Sequence, residues 1–503
     1  MIAPAETSPA EATEASVAQF AKIRGFLAGD TAATLEHSEL EDYIHTEGFE
    51  LLRLLLQDHF DLRAVNEERL AEVVDAGGVP RGAVEEGHER PLRTIVGSIV
   101  VDRFAYRRRG EENLYPADAV LNLPDEVHSH GLRELAAIES TRGSFEDARD
   151  AIQRTTGVGI GKRQVEELTR RAAVDFEAFY EAASRDPTDD GDVLVLSVDG
   201  KGIVMRPDAL RPATAQAAAK ATSKLNTRLS KGEKRNRKRI AEVGAVYDAT
   251  PVGRAASDII GRKNGADKVE APKAKNKWLT ASVVDDASAS EVISAVFEEA
   301  ERRDPAHTRT WVVLVDGAKH QIDCIEAEAA DRGIEIRIVV DFVHALEYLW
   351  SSAWSFFGEG DPAAEEWVAE KAIAVLEGKA STVAASIRRK ATCLGLDART
   401  RQNADTCADY LLAKAPHLDY PTTLAQGWPI ATGVIEGAVR HLVKDRMDVT
   451  GARWGLEGAE AVLKLRALRS NGDFESYFKF HLTRERQRVH EARYADAVIP
   501  TAA

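Results

Sequence analysis

Val193-Leu194-Val195-Leu196-Ser197-Val198 is a nearly continuous apolar run that ends on a bare carboxylate, Asp199-Gly200. A strand buried on both faces reads this way, and the run continues through Lys201 to Met205. The arrangement recurs downstream, where Trp311 to Val315 runs into Asp316-Gly317. An ionised Asp beside a buried strand loses several kcal/mol of solvation unless it is paired or binds a cation. Two such residues on neighbouring strands repel each other, which a divalent cation relieves, and hard oxygen ligands select Mg²⁺ or Mn²⁺ over zinc. Asp-Gly after a strand is also an ordinary turn. The repetition after two Val-rich strands, at suitable places in one β-α order, is what favours the site.

Working outward from Asp199, β signals follow at Ala245–Tyr247 and Trp278–Val284, then a helix over about Ala289–Arg303. The strand Trp311–Val315, a helix over Lys319–Arg332 and a strand over Ile334–Val340 complete the order β-β-β-α-β-α-β, which is that of an RNase-H-like sheet. From His344 to about Ala415 the pattern is helical throughout. Gly427-Trp428-Pro429 punctuates the chain, a helix beginning near Thr432 carries Glu436, and an amphipathic helix follows over Leu456–Arg469. On such a helix crossing the sheet, Glu436 would be a third ligand; alone it is any helix-face glutamate.

Towards the N-terminus, apolar positions recur at helical spacing from Ala18 to about Ala76 among many acids. Arg93–Arg109 is rich in β-branched and aromatic residues and reads as strand. Its Arg103 and Arg107–Arg109 are read as solvated, with phosphate contact the less favoured alternative. Residues 131–173 read as three short helices. Ser144 caps the second with Asp147 at its third position, and Phe145, Ala148 and Ile152 share a face. The third turns Val165, Leu168 and Ala172 inward and Lys162, Arg163, Arg170 and Arg171 outward. This is either a helix-turn-helix with its last helix in a major groove, or a plain helical hairpin.

The chain has 503 residues, 44% hydrophobic and 29% charged, with a net charge of −16. That length suggests roughly three or four domains. Screening limits the reach of charge to about 10 Å, so the distribution matters more than the total. Lys201–Ile240 carries twelve bases against two acids, leaving −26 on the rest. A basic segment on an acidic body is compatible with nucleic-acid binding. Lys234, Arg235, Arg237 and Lys238 lie in its densest part, which interrupts the first hairpin of the sheet and is suited to neutralising phosphates. Cys324, Cys393 and Cys407 form no disulfide framework or zinc knuckle, so a reducing cytoplasm is expected. Neither a signal peptide nor a membrane span is legible.

The C-terminal pattern narrows the reading. Thr432-Gly433-Val434-Ile435-Glu436-Gly437, then Arg440, Lys444, Arg446-Met447 and Gly451-Ala452-Arg453-Trp454, resembles the signature of DDE-type insertion-sequence transposases, closest to the ISKra-type group. The resemblance takes in Leu196–Gly200, Val313–Ala318 and Asp341-Phe342-Val343-His344, and spans about residues 90–480. It implies a transposase that binds terminal inverted repeats, cleaves with Mg²⁺ (or Mn²⁺, two ions) and joins the 3′-OH to target DNA. Asp199, Asp316 and Glu436 would be the catalytic, metal-binding acids. Arg440 and Lys444, one and two turns after Glu436, would share its helix face and meet phosphate. Arg446, Arg453 and Trp454 join the DNA-facing set, and Asp341 and His344 are possible support near the scissile phosphate. A capping or core role for His344 is as acceptable, and for Trp428 and Trp454 core packing is preferred to base stacking.

The expected class is therefore α/β and multidomain: an RNase-H-like mixed sheet interrupted by an all-helical insertion, preceded by helical and helix-turn-helix regions. The boundaries are a disordered lead (1–15), an acidic helical region (16–90), a small β element (91–122) and the helix-turn-helix region (123–185). The catalytic core occupies 190–343 and 426–482 around the insertion 344–425, before a tail (483–503). A homo-oligomer in the cytoplasm, associated with the nucleoid and not with membrane, is expected. An RNase-H-like nuclease and a domesticated DNA-binding protein without activity are the rivals.

Overall fold

A computed structural model describes residues 13–185, 191–220, 237–260, 269–283 and 288–502. The chain gathers into two compact units, Met1–Ala182 with Asp473–Ala503, and Ala183–Gly472. Among the described residues no helix is long and apolar enough to cross a membrane.

The first unit begins with α1 (Glu14–Leu27) and α2 (His37–Val65). Helix was expected to about Ala76, but α2 stops at Val65. Beyond it Asp75 folds the chain into a turn, its carboxylate accepting from the Gly77 and Val79 N–H groups. The single strand expected over Arg93–Arg109 is broken into short pieces. They are β2 (Arg90–Thr94), β3 (Gly97–Val101) and β4 (Ala105–Arg107), with β1 (Ala83–Glu85) ahead of them. β2 pairs with β3 and β1 with β4, both antiparallel. The break after Thr94 is a turn in which its hydroxyl donates to Gly97 and accepts from Val96. Leu92, Ile99 and Val101 then pack beneath Leu56 and Phe60 of α2. A short α3 (Pro116–Val120) leads to the helical trio.

That trio forms as the sequence reads. α4 (His130–Arg142) precedes α5 (Phe145–Thr156), which carries the Ser144–Asp147 capping box and buries Phe145, Ala148 and Ile152. α6 (Lys162–Arg171) buries Val165 and Leu168 and leaves Lys162 and Arg163 exposed. α7 (Phe176–Glu181) follows. The C-terminal helix Phe474–Val489 returns to this unit, although residues up to 482 were expected to complete the catalytic part. The cause is polar as well as apolar. Tyr477 donates to the Ala172 carbonyl at 2.7 Å, and His481 sits between Asp175 at 2.7 Å and Arg133 at 3.0 Å. Arg133 is fully buried and paired with Glu126 and Glu485.

The second unit is mixed α/β around a five-stranded mixed sheet in the order β7-β6-β5-β8-β9. In chain order it contains β5 (Val193–Val204), α8 (Pro212–Lys220), β6 (Lys238–Ala249), α9 (Ala256–Ile259) and β7 (Ala274–Ser282). Then come α10 (Ser288–Arg303), β8 (Trp311–Val315), α11 (Lys319–Arg332) and β9 (Ile336–Val340). β5, β6 and β7 form an antiparallel meander, while β8 and β9 add in parallel. Every residue of β8 and the first six of β5 are buried, as central strands covered on both faces require. The stretch after β9 is helical as expected: α12 (Phe342–Ala353), α13 (Pro362–Leu376), α14 (Ala380–Cys393), α15 (Gln402–Lys414) and α16 (Tyr420–Ala425). α17 (Gly433–Ala438) then passes into a π-helical turn, Val439–Lys444, and α18 (Leu456–Asn471) ends the unit. α18 covers the outer strand β7, where the Asn471 amide bonds both the N–H and the carbonyl of Leu279. An edge strand so covered offers less to other chains.

Candidate active site

The buried runs deliver Asp199 and Asp316 to the same edge of the sheet. β5 and β8 are parallel neighbours paired from Leu194 with Trp311 to Ser197 with Leu314. Continuing that register by two residues sets Asp199 beside Asp316, on strands about 4.8 Å apart. Each carboxylate is partly buried and turned locally: Asp199 accepts from the Gly200 N–H at 2.7 Å, and Asp316 from the Ala318 N–H at 2.8 Å.

Glu436 reaches this corner through a chain of specific bonds. Asp341, 3% exposed, follows β9, and its N–H donates to the Val315 carbonyl just before Asp316. One Asp341 oxygen caps α12 through the Val343 N–H, and the other accepts from the Thr432 hydroxyl. Thr432 starts the helix that carries Glu436, and Phe342 N–H bonds the Ile430 carbonyl on the segment leading in. Asp341 therefore links the end of β8, just before Asp316, to the start of the helix that carries Glu436. His344 packs edge-on against Tyr348 and Tyr410, and the Tyr410 hydroxyl lies 3.4 Å from the Asp316 carbonyl.

Burial raises the carboxyl of Asp199 above its usual range, and the charges of Asp316 and Glu436 add to this. The Gly200 N–H and Lys444 oppose it. Asp199 thus feels both other acids and one lysine. The donor set is all carboxylate oxygen with a surplus of negative charge, which fits a hard divalent cation. As the side chains stand, no group of three or more His, Cys, Asp or Glu among the described residues is gathered closely enough to hold an ion.

Glu436, Arg440 and Lys444 are all exposed, on a stretch that passes into a π-helical turn over Val439–Lys444 with i→i+5 bonding. Lys444 acts on Asp199, whereas the Arg440 side chain is 72% exposed and lies 3.7 Å from Asp445. Arg446 and Trp454 are buried, the guanidinium 4.6 Å from the ring centroid, and the Trp454 indole donates to the Met447 carbonyl at 3.1 Å. They pack against each other, while Arg453 is exposed. Trp428 is half-buried, and its carbonyl accepts from Arg254. On the helical trio, Lys162 lies 3.6 Å from Glu146, and Arg170 and Arg171 both pair with Glu167. Lys234 and Arg235 lie outside the described residues; Arg237 is partly exposed, and Lys238 lies 4.0 Å from Asp448.

Sequence reasoning missed Glu242. The β5–β6 register sets it opposite Gly200, and by strand alternation on the other face from Asp199. A Cβ at position 200 would stand 3.1 Å from both Glu242 oxygens, so glycine there admits the carboxylate to the backbone. Its Oε2 is buried with no hydrogen-bond partner among the described residues. Burial first, then Asp199 and Asp316, push its carboxyl up to about 7, with Arg211 opposing. Only the antiparallel register reveals this neighbour, since no spacing links position 242 to 199. Glu460, on α18 downstream of Glu436, accepts from the Val283 N–H at 2.8 Å and lies 3.4 Å from Lys464.

No protein-family model matches the chain, and no curated protein matches it.

Proposed function

We propose that the chain is a DDE-type transposase of the ISKra-like kind with an RNase-H-like catalytic sheet. In this reading it binds the terminal inverted repeats of its element, cleaves DNA and transfers the strand to target DNA. The observation that carries the reading is the pair Asp199 and Asp316 on adjacent parallel strand tips, with Glu436 acting electrostatically on Asp199. It joins the Glu436 sequence context to a common corner of the sheet.

Asp199, Asp316 and Glu436 would hold a pair of Mg²⁺ or Mn²⁺ ions, which when bound supply Lewis acidity towards a phosphodiester. The chain's own part is orientation and charge. Asp341 holds Thr432 and with it the start of the Glu436 helix. Lys444 places a cation beside Asp199, where it offsets the charge of an incoming phosphate as well as that of the acids. Lys162 and Arg163, exposed at the start of α6, are the proposed contacts to the terminal repeats. Exposed Arg453 joins the DNA-facing set, and two DNA ends handled together call for a homo-oligomer.

Glu436→Gln tests the assignment with duplex DNA containing the sequences that flank the reading frame. End binding should survive, while Mg²⁺-dependent cleavage and strand transfer both fall about 100-fold or more. Cleavage near the native rate refutes Glu436 as the third carboxylate. Wild-type protein that cuts but never joins strands would favour a nuclease.

A further inference from the structure

The α1–α2 hairpin of the first unit has an inverted distribution of polarity. The buried positions of α1 are Ser16 and Gln19, and the only buried residue of α2 is Asp58. These groups face one another: the Ser16 N–H bonds Asp58, Gln19 and Lys22 bond Glu47, and Phe26 stacks on Tyr43. The antiparallel pair has a second committed face, where Leu56 and Phe60 pack on β2 and β3, and Gln57 bonds Val100. At about 100° per residue, a third face of α2 carries Ile44, Gly48, Leu51, Leu55 and Leu62, with Leu52 on its flank. On α1 the residues turned out of the contact are Val17, Phe20 and Leu27. Both stripes lie about 90–100° from the line of contact between the helices. Because the helices run antiparallel, they fall on the same side, away from β2 and β3.

Among the described residues this side is mainly apolar, with the Arg24 guanidinium over the Phe20 ring at 5.8 Å. Val17, Phe20, Leu27, Ile44, Leu52 and Leu55 are 40 to 64% exposed. An amphipathic surface helix has the opposite arrangement, with its apolar stripe inward. From Ile44 to Leu62 the stripe is about 28 Å long, and two helices side by side are roughly 20 Å wide. Such a face covers on the order of 550 Å² per copy, at the upper end of the roughly 300–600 Å² that the largest patch of a typical monomer reaches.

We propose that a second copy of this chain covers this face, two α1–α2 hairpins meeting about a two-fold axis as a four-helix layer. Two copies would together bury on the order of 1,100 Å², near the lower bound for a specific interface. The succession Ile44, Gly48, Leu51, Leu55 alternates spacings of four and three, the repeat by which one helix meshes with another. Charge selects the crossing. α1 holds two bases and one acid, whereas α2 holds two bases and seven acids. Setting α1 of one copy over α2 of the other avoids the repulsion of α2 against α2. Burial and residue pattern carry this proposal, independently of the transposase reading.

Sedimentation equilibrium of the full chain should show a monomer–dimer equilibrium. Leu52→Glu with Leu55→Glu should weaken it about 100-fold or more, as should Phe20→Lys alone to a smaller degree. Half-exposed positions tolerate these changes, and unchanged circular dichroism and melting would confirm the fold. A wild-type monomer up to about 100 µM overturns the proposal, as does a dimer whose affinity neither variant moves. A monomer that dimerises only after removal of residues 1–12 also overturns it, since the N-terminal lead would then be the occupant.

Discussion

Replacing Glu242 with Gln should make the protein more stable, and the gain should depend on pH. The Glu242 carboxyl sits against the Gly200 backbone with one oxygen buried and unbonded, and its pKa stands at about 7 against an ordinary 4.5. At about 1.36 kcal/mol per pH unit, that difference amounts to roughly 3 kcal/mol favouring the neutral form. The folded pKa lies above the unfolded one, so the folded state binds more protons between these values. The stability this contributes is fully present below about pH 4.5 and lost as pH rises through about 7. Gln does not titrate and keeps nearly the same shape. Wild type and variant should therefore have similar stability near pH 4, with the variant ahead by about 2–3 kcal/mol at pH 8. Urea unfolding of both proteins at pH 5, 6, 7 and 8 with a chelator present measures this directly. A difference that stays within about 0.5 kcal/mol from pH 5 to 8 would refute the reasoning, as would a variant less stable at pH 8. If Asp199 and Asp316 bind a divalent cation, its addition at pH 8 should stabilise the wild type and narrow the gap.

Other perturbations test separate parts of the structure. Arg133→Ala should lower stability by about 3–5 kcal/mol in urea unfolding, because Glu126 and Glu485 lose a fully buried cation; a loss under 1 kcal/mol would count against that network. Gly427→Ala should lower the melting temperature and cost about 2 kcal/mol or more, since φ is +77° and the Val252 backbone stands where the Cβ would go. Lys162→Ala with Arg163→Ala should weaken binding to the element's ends in a gel-shift assay, and loss of non-specific affinity alone would exclude α6 as a recognition helix. Changing Lys234, Arg235, Arg237 and Lys238 to Gln should flatten the salt dependence of binding to any DNA, and an unchanged slope would mark the segment as merely solvated.

Local pattern was a reliable guide where one physical requirement acts within a few residues. The apolar runs before Asp199 and Asp316 form central strands, because a strand covered on both faces tolerates few polar side chains. Ser144 and Asp147 form their capping box because the helix's unpaired N–H groups lie within reach of those two side chains. Where propensity competed with turn chemistry, the reading was coarser, as at Thr94, whose hydroxyl closes a hairpin inside an apparently continuous strand.

From sequence alone came the succession of strands and helices along the chain, the helical stretch ahead of Glu436 and the three acids as candidates. All are properties of residue type and of short-range period. What relates these acids in space is tertiary. The parallel register of β5 on β8 brings Asp199 beside Asp316 across more than a hundred residues, and Asp341 ties the Glu436 helix to the end of β9. The same long-range packing brings Glu242 against Gly200 across the β5–β6 pair. Such neighbours have no characteristic spacing along the chain. The sheet register and the interior dielectric select them, and both exist only once distant segments have packed.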